Sequence, residues 1–276
     1  MSVVAVGSVR SCGASTLALG LVATWPEARP VLLVEADPAG GTLAATAGWP
    51  GEPSLVSLAA AARHGGDPGI VEAHCHLLPG GAQALVAPAS AEQARAALGM
   101  LGTLFGHLGD LEADVVVDCG RLDPGSPAMA LVEHADRLLL VARPRLSDLH
   151  AVSAWLASHG ALSGHVSLVA VGDGPYPDAE IADALGTEVA ARLPWDPDAA
   201  SALAHLPASA RQLRSAPLVR AARTLAERLA NELAPVPAVV LAAPGPPRVG
   251  RRHRLVPWRP EAVGAANGTS PDGVTP

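Results

Sequence analysis

Residues Val3 to Thr16 read V-V-A-V-G-S-V-R-S-C-G-A-S-T, and the fold turns on this stretch. A short β-branched run suited to a buried strand leads into small residues, and Gly13, Ser15 and Thr16 then open a helix rich in Ala and Leu. Strand, small-residue loop and helix start in that order outline a phosphate-binding loop, where backbone amides and the helix dipole face an anion. One group that such loops use is missing. The pattern G-x-x-x-x-G-K-[ST] places lysine at position 14 and its first glycine at position 8, where this chain has Ala14 and Ser8.

Outward from the loop, short apolar runs alternate with Ala-rich stretches as far as about residue 231. The pattern predicts strands at Val3 to Val6, Val31 to Glu35, Ala84 to Ala87, Asp114 to Asp118, Leu138 to Ala142, Ser167 to Val171 and Val189 to Leu193. Helices are predicted at Ala14 to Thr24, Ala91 to Leu108, Ser126 to Glu133, Ser147 to Ser158, Asp178 to Leu185, Asp198 to His205 and Pro217 to Leu233. Ser90 reads as an N-cap, and Pro217 sits at a first helical position where its missing N–H does no harm. Repeated β-α units of this kind give an α/β fold with a mostly parallel, doubly wound sheet flanked by helices. One domain is predicted over residues 1–233, followed by a flexible Pro/Arg-rich tail over 234–276.

Composition narrows the function. The chain has 276 residues, 49% of them hydrophobic but only 3% aromatic, so its core is built from Ala, Val and Leu. All 19 basic residues are arginine. Net charge is −7, divided into about +3 from Pro235 onward and −10 before it. An acidic body excludes broad electrostatic binding of DNA by the folded part and leaves DNA or membrane contact to the basic tail. Three cysteines at irregular spacing, no long apolar run and no secretion signal predict a cytoplasmic protein, peripheral to the membrane at most.

Two carboxylates fall where a nucleotide site needs them. Asp37 follows V-L-L-V-E-A, and Asp118 ends A-D-V-V-V-D, the place of a Walker B carboxylate behind a Mg²⁺ ion. Ligands of open α/β sheets bind beyond the carboxyl ends of the strands, so Gly13, Asp37 and Asp118 are predicted to share one crevice. The histidines of His74-Cys75-His76 on a strand share one face while Cys75 points the other way, which disfavours a joint metal site. Cys12 and Cys119 both flank predicted phosphate or Mg²⁺ positions and are candidates to approach one another.

With these segments in register the chain resembles the ParA/MinD family of deviant Walker A ATPases, members of the SIMIBI class that position chromosomes, division sites and pili. The family loop K-G-G-x-G-K-[ST]-[ST] aligns with Val9 to Thr16. Its second motif resembles Val34 to Leu43, its third Val115 to Gly120, and its late I-P-x-D segment Leu193 to Asp196. The resemblance implies ATP or ADP bound with Mg²⁺ by Arg10, Ser11, Cys12, Gly13, Ala14, Ser15 and Thr16. It makes Ser15 and Asp118 the Mg²⁺ ligands, and Asp37 the residue that orients the attacking water. Both family lysines are absent, replaced by Val9 and Ala14, while Arg10 stands one position beyond the first.

What remains binds through backbone and oxygen, so binding is expected to survive where ATP hydrolysis does not. The chain therefore reads as a degenerate member, similar to CpaE/TadZ-like positioning proteins, acting as a scaffold with other proteins of a positioning or secretion system. An active ATPase for chromosome partitioning or division-site placement is the rival reading. The family also implies a homodimer, here less dependent on ATP because the cross-subunit lysine is gone.

Overall fold

The structure, a computed structural model, describes residues 1–63, 68–162, 164–205 and 213–233. All of these belong to the unit Met1–Pro235, and the expected tail at 234–276 lies outside the described residues. Among them eight strands form one sheet: β1 (Val3–Ser8), β2 (Val31–Glu35), β3 (His76–Leu77), β4 (Gln83–Leu85), β5 (Asp114–Arg121), β6 (Arg137–Ala142), β7 (Val166–Val171) and β8 (Val189–Leu193). Their order is β3-β4-β2-β5-β1-β6-β7-β8. Neighbours are parallel throughout, except the edge pair β3 and β4.

Parallel strands need crossovers, and helices supply them. They are α1 (Ala14–Thr24), α2 (Leu43–Ala47), α3 (Leu55–Ala62), α4 (Ala91–Met100), α5 (Gly102–Phe105), α6 (Met129–His134), α7 (Leu146–Ser158), α8 (Asp178–Leu185), α9 (Pro197–Ala204) and α10 (Pro217–Glu232). Side chains alternate across the sheet, so Val3 and Ala5 of β1 join one core cluster and Val4 and Val6 the other. The first cluster takes up α3 to α8, and the second takes up α1, α2, α9 and α10. The result is a three-layer α/β/α sandwich. Residues such as Leu17 and Leu21 are at most 1% exposed, and burying a side chain of that size contributes about 1.5 to 3 kcal/mol.

Strand order reverses at β1, which lies between β5 and β6. That puts the start of α1 at the crevice where open α/β sheets bind their ligands. β1 and β5 both run beyond the expected ends, and Ser8 pairs with Arg121 after an irregularity that follows Val6. Gly7 is required there, since a Cβ would fall 2.7 Å from the Leu122 side chain.

Several expected boundaries move, each for a local reason. The single helix expected over Ala91 to Leu108 breaks at the fully buried Leu101, between Gly99 and Gly102, which weaken a helix interior. The helix expected from Ser126 begins at Met129, because Pro127 disfavours helical backbone at the residue before it. Val86 and Ala87 leave the expected strand, as the Val86 carbonyl accepts from Leu55 N (2.9 Å) and Ala87 N donates to Glu35 Oε2 (3.0 Å). The sequence pattern did not announce α2, α3 or β3. α3 is set by a capping box, Ser54 Oγ accepting from Val56 N and Ser57 Oγ from Ser54 N.

Candidate functional site

The loop from Val9 to Gly13 connects β1 to α1 and ends on Gly13, whose φ of 102° lies in the left-handed region that glycine tolerates. No side chain caps α1, so its first-turn amides stay available to an anion. In front of them opens a cleft of about 510 Å³. Ser8, Ser11, Gly13, Ala14, Ser15 and Thr16 line it from the end of β1, the loop and the start of α1, Asp37 to Ala39 from beyond β2, and Gly120 to Pro127 apart from Leu122 from the end of β5 and the chain after it. Arg95 of α4 completes the wall.

Of the loop residues expected to bind a nucleotide, Ser11, Gly13, Ala14, Ser15 and Thr16 therefore meet at one cleft. Arg10 and Cys12 do not line it. The Arg10 side chain is exposed, and Cys12 turns into the core beneath the loop. Ala14 is 4% exposed and brings no charge to the position of the absent lysine.

Asp118 lies behind the loop at the end of β5, held by the Ser15 hydroxyl and by Gly120 N, which donates to Oδ1 at 3.0 Å. Burial pushes its carboxyl up to about 7 against the pull of those two hydrogen bonds, and the charges of Asp37 and Glu35 add to the rise. Asp37 crosses over Gly120 so closely that a Cβ there would lie 2.2 Å from the Asp37 carboxyl carbon. Its Oδ1 accepts from Ala39 N at 2.8 Å. Burial raises the Asp37 pKa, Ala39 N opposes this, and Asp123 reinforces it.

Glu35 was not singled out in the sequence, although it ends an apolar strand as Asp118 does. It is 4% exposed and accepts from Thr42 N (2.7 Å), Leu43 N (3.1 Å) and Ala87 N (3.0 Å), pinning the loop after β2 to the chain after β4. Burial raises its pKa, the three amides oppose this, and the charge of Asp37 adds to the rise. Arg95, Arg121 and Asp123 were missed as well. No local pattern marks an arginine inside an Ala-rich helix as part of a site formed more than fifty residues away.

The metal reading of residues 74–76 finds no support. Cys75 follows a 3₁₀ turn at Glu72–His74 rather than lying within a strand, and only His76 enters β3. His74 Nδ1 lies 2.8 Å from the Ile70 carbonyl oxygen and His76 Nε2 2.7 Å from that of Pro53, while the Cys75 thiol donates to Val71. Burial lifts that thiol to about 12. Cys12 and Cys119 do not approach one another, since they lie in the clusters on opposite faces of the sheet. Burial raises both thiols, away from the reactive thiolate.

The donors present fit a phosphate bound by backbone. Gly13 frees the helix start, and the Ser15 hydroxyl and Asp118 carboxyl are oxygens of the hard type that Mg²⁺ accepts. A cation from the loop itself is lacking.

No protein-family model matches the sequence, and no curated protein matches it either. Solved structures do. A ParA family ATPase from Chlorobium tepidum superposes with a TM-score of 0.67 at 16% identity, covering 83% of this chain and 98% of its own. The MinC:MinD cell division protein complex of Aquifex aeolicus gives 0.64 at 17%, covering 86% and 98%. Septum site-determining protein MinD of Pyrococcus horikoshii, complexed with Mg-ADP, gives 0.63 at 18%, covering 82% and 94%. The chain has the ParA/MinD fold. Coverage of more than four-fifths of this chain and nearly the whole length of those chains means that the likeness is not confined to the loop. Among the described residues, no helix is long and apolar enough to cross a membrane.

Proposed function

We propose that this ParA/MinD-like protein binds an adenine nucleotide with Mg²⁺ at the loop, turns it over slowly or not at all, and acts as a positioning or scaffolding factor through protein contacts. The observation that carries this reading is the loop itself. Its amides and the Ser15 and Asp118 oxygens are retained, while Ala14 is buried without charge and Arg10 does not line the cleft. Amides of Ser11 and Gly13 to Thr16 hold the phosphates, and Ser15 with Asp118 holds the metal. Mg²⁺ bound there would supply charge neutralisation for the phosphates. Without lysine, charge developing in a transferring phosphoryl group goes unmatched on the loop side, a loss of about 10³-fold or more in rate.

The working setting follows from that chemistry. A site that holds a nucleotide without a strong hydrolytic switch suits a fixed landmark for pilus, secretion or division machinery, with other proteins of that machinery as partners and a homodimer that depends less on ATP. Contact with DNA or with a membrane surface is assigned to the basic tail.

Titration of Mg-ADP into the wild type and into Ala14→Lys tests the reading, alongside phosphate release from ATP. The expected result is binding by the wild type, tighter binding by the variant, and wild-type release near background. Turnover abolished by Asp37→Ala, or a sharp monomer-to-dimer shift on adding ATP, would establish the active-ATPase reading instead. Asp37 is the observation in favour of that second reading, since its carboxyl lines the same cleft.

A further inference from the structure

Among the described residues two cations line the cleft, Arg95 and Arg121, and they are not equivalent. Arg121 is neutralised by Asp123, with Nε 2.7 Å from Oδ1. Among the described residues Arg95 takes part in no ion pair, although Asp37 and Asp123 line the same space. Its Nε donates instead to the Pro38 carbonyl at 3.2 Å, and among the described residues neither terminal nitrogen has a hydrogen-bond partner.

That anchor is rigidly placed. Gly41 N donates to the Pro88 carbonyl at 2.8 Å, and a Cβ on Gly40 or Gly41 would come within 2.4 Å of the backbone oxygen of Ala89 or Ala87. Glu35 ties the same loop to Ala87, and the Ser90 cap fixes where α4 begins. Pro38 and the first turns of α4 are thus seated against each other. Arg95 itself is exposed at the cleft and is tied to that seat by its one hydrogen bond to Pro38.

We propose that Arg95 is the phosphate-binding cation of this site, presented from α4 across the cleft, for a nucleoside di- or triphosphate. This rests on the nucleotide reading above. A guanidinium anchored through Nε keeps its two Nη groups as a planar fork that matches phosphate oxygens. It lines the same cleft as the amides of the α1 start, so phosphates bound there would meet both backbone donors and a side-chain cation. Because the same guanidinium holds Pro38, a ligand on Arg95 also steadies the loop that carries Asp37.

The test uses the full chain and two probes, Mg-ADP and inorganic pyrophosphate, titrated into wild type, Arg95→Gln and Arg121→Gln, with melting of each protein without ligand. Arg95→Gln is expected to weaken both probes about tenfold or more, the scale of a charge-assisted hydrogen bond, with its unliganded melting point unchanged within about 2 °C. Arg121→Gln is expected to change affinity by less than about threefold, because its charge is already paired. Wild-type affinity in Arg95→Gln would overturn the assignment while leaving the nucleotide reading intact. So would a larger loss in Arg121→Gln, or a lowered melting point in Arg95→Gln, which would make its role that of a structural tie to Pro38. Absence of binding by the wild type to either probe would overturn both this assignment and the nucleotide reading.

Discussion

Asp118 shows how one side chain couples the site to stability. Its folded pKa is raised from 3.8 to about 7, so the folded state keeps a proton that the unfolded state has released. The contribution is fully present below the unfolded value and is lost as pH rises through the folded one, so stability falls between about pH 4 and 7 and is level above. Glu35 and Asp37 shift in the same direction. Asp118→Asn cannot ionise yet keeps an acceptor for the Gly120 amide. Urea midpoints at pH 5 and pH 8, without Mg²⁺, are expected to show the wild type losing stability relative to the variant by on the order of 1 to 3 kcal/mol. An equal change in both proteins would refute the assignment.

At the scale of elements, α1 is the one on which the site depends, and it is held from both sides. Leu17, Ala18 and Leu21 pack in the cluster shared with the sheet and with α9 and α10, and α1 lies directly against α10 at Gly20. A Cβ on Gly20 would sit 3.2 Å from Ala222 Cβ and 3.7 Å from Leu203 Cδ1, so the glycine sets the approach of the two helices. Gly20→Val is expected to destabilise the fold by about 1 to 3 kcal/mol through overpacking, read as a lower urea midpoint. The extent of α10 was legible, and its Leu218, Ala222, Leu225 and Leu229 are buried along one face. Which helix that face meets was not, because periodicity says that a stripe is buried and nothing about its partner.

Across the whole molecule, the end of the sheet remote from the cleft is gathered on one carboxylate. Asp114 at the start of β5 accepts from Ser2 N (3.0 Å), Ser2 Oγ (2.9 Å), Trp25 Nε1 (3.0 Å) and Arg29 Nη2 (2.6 Å), while Arg29 also donates to the Ala230 carbonyl in α10. Burial alone would raise this carboxyl, but the bonds from Arg29, Ser2 and Trp25 outweigh it and the pKa is lowered. Asp114 thus adds stability above the ordinary carboxylate range that is lost as pH falls through its depressed value, opposite in sign to Asp118. Asp114→Ala leaves Arg29 and the Trp25 indole without their acceptor, and a loss on the order of 3 kcal/mol is expected in denaturant unfolding. Nucleotide affinity should be little changed in the fraction that stays folded, since the node lies at the other end of the strands.

The sequence by itself determined the α/β class, the positions of most strands, the loop that starts α1, and the fact that Gly13 and Asp37 follow strands whose carboxyl ends converge; Asp118, expected in the same crevice, lies buried within β5 and does not line it. Those features are written in local periodicity and in residue types at fixed offsets, which a chain displays without folding. Only the tertiary structure decided that Arg10 leaves the cleft and Arg95 enters it, that Glu35 clamps a loop to Ala87, and that Asp114 draws in Ser2, Trp25 and Arg29. Each joins positions brought together by strand order and packing, or depends on the direction one side chain takes within a packed loop. The missing lysine at Ala14 was legible from the start, but what stands opposite the loop depended on where α4 comes to rest.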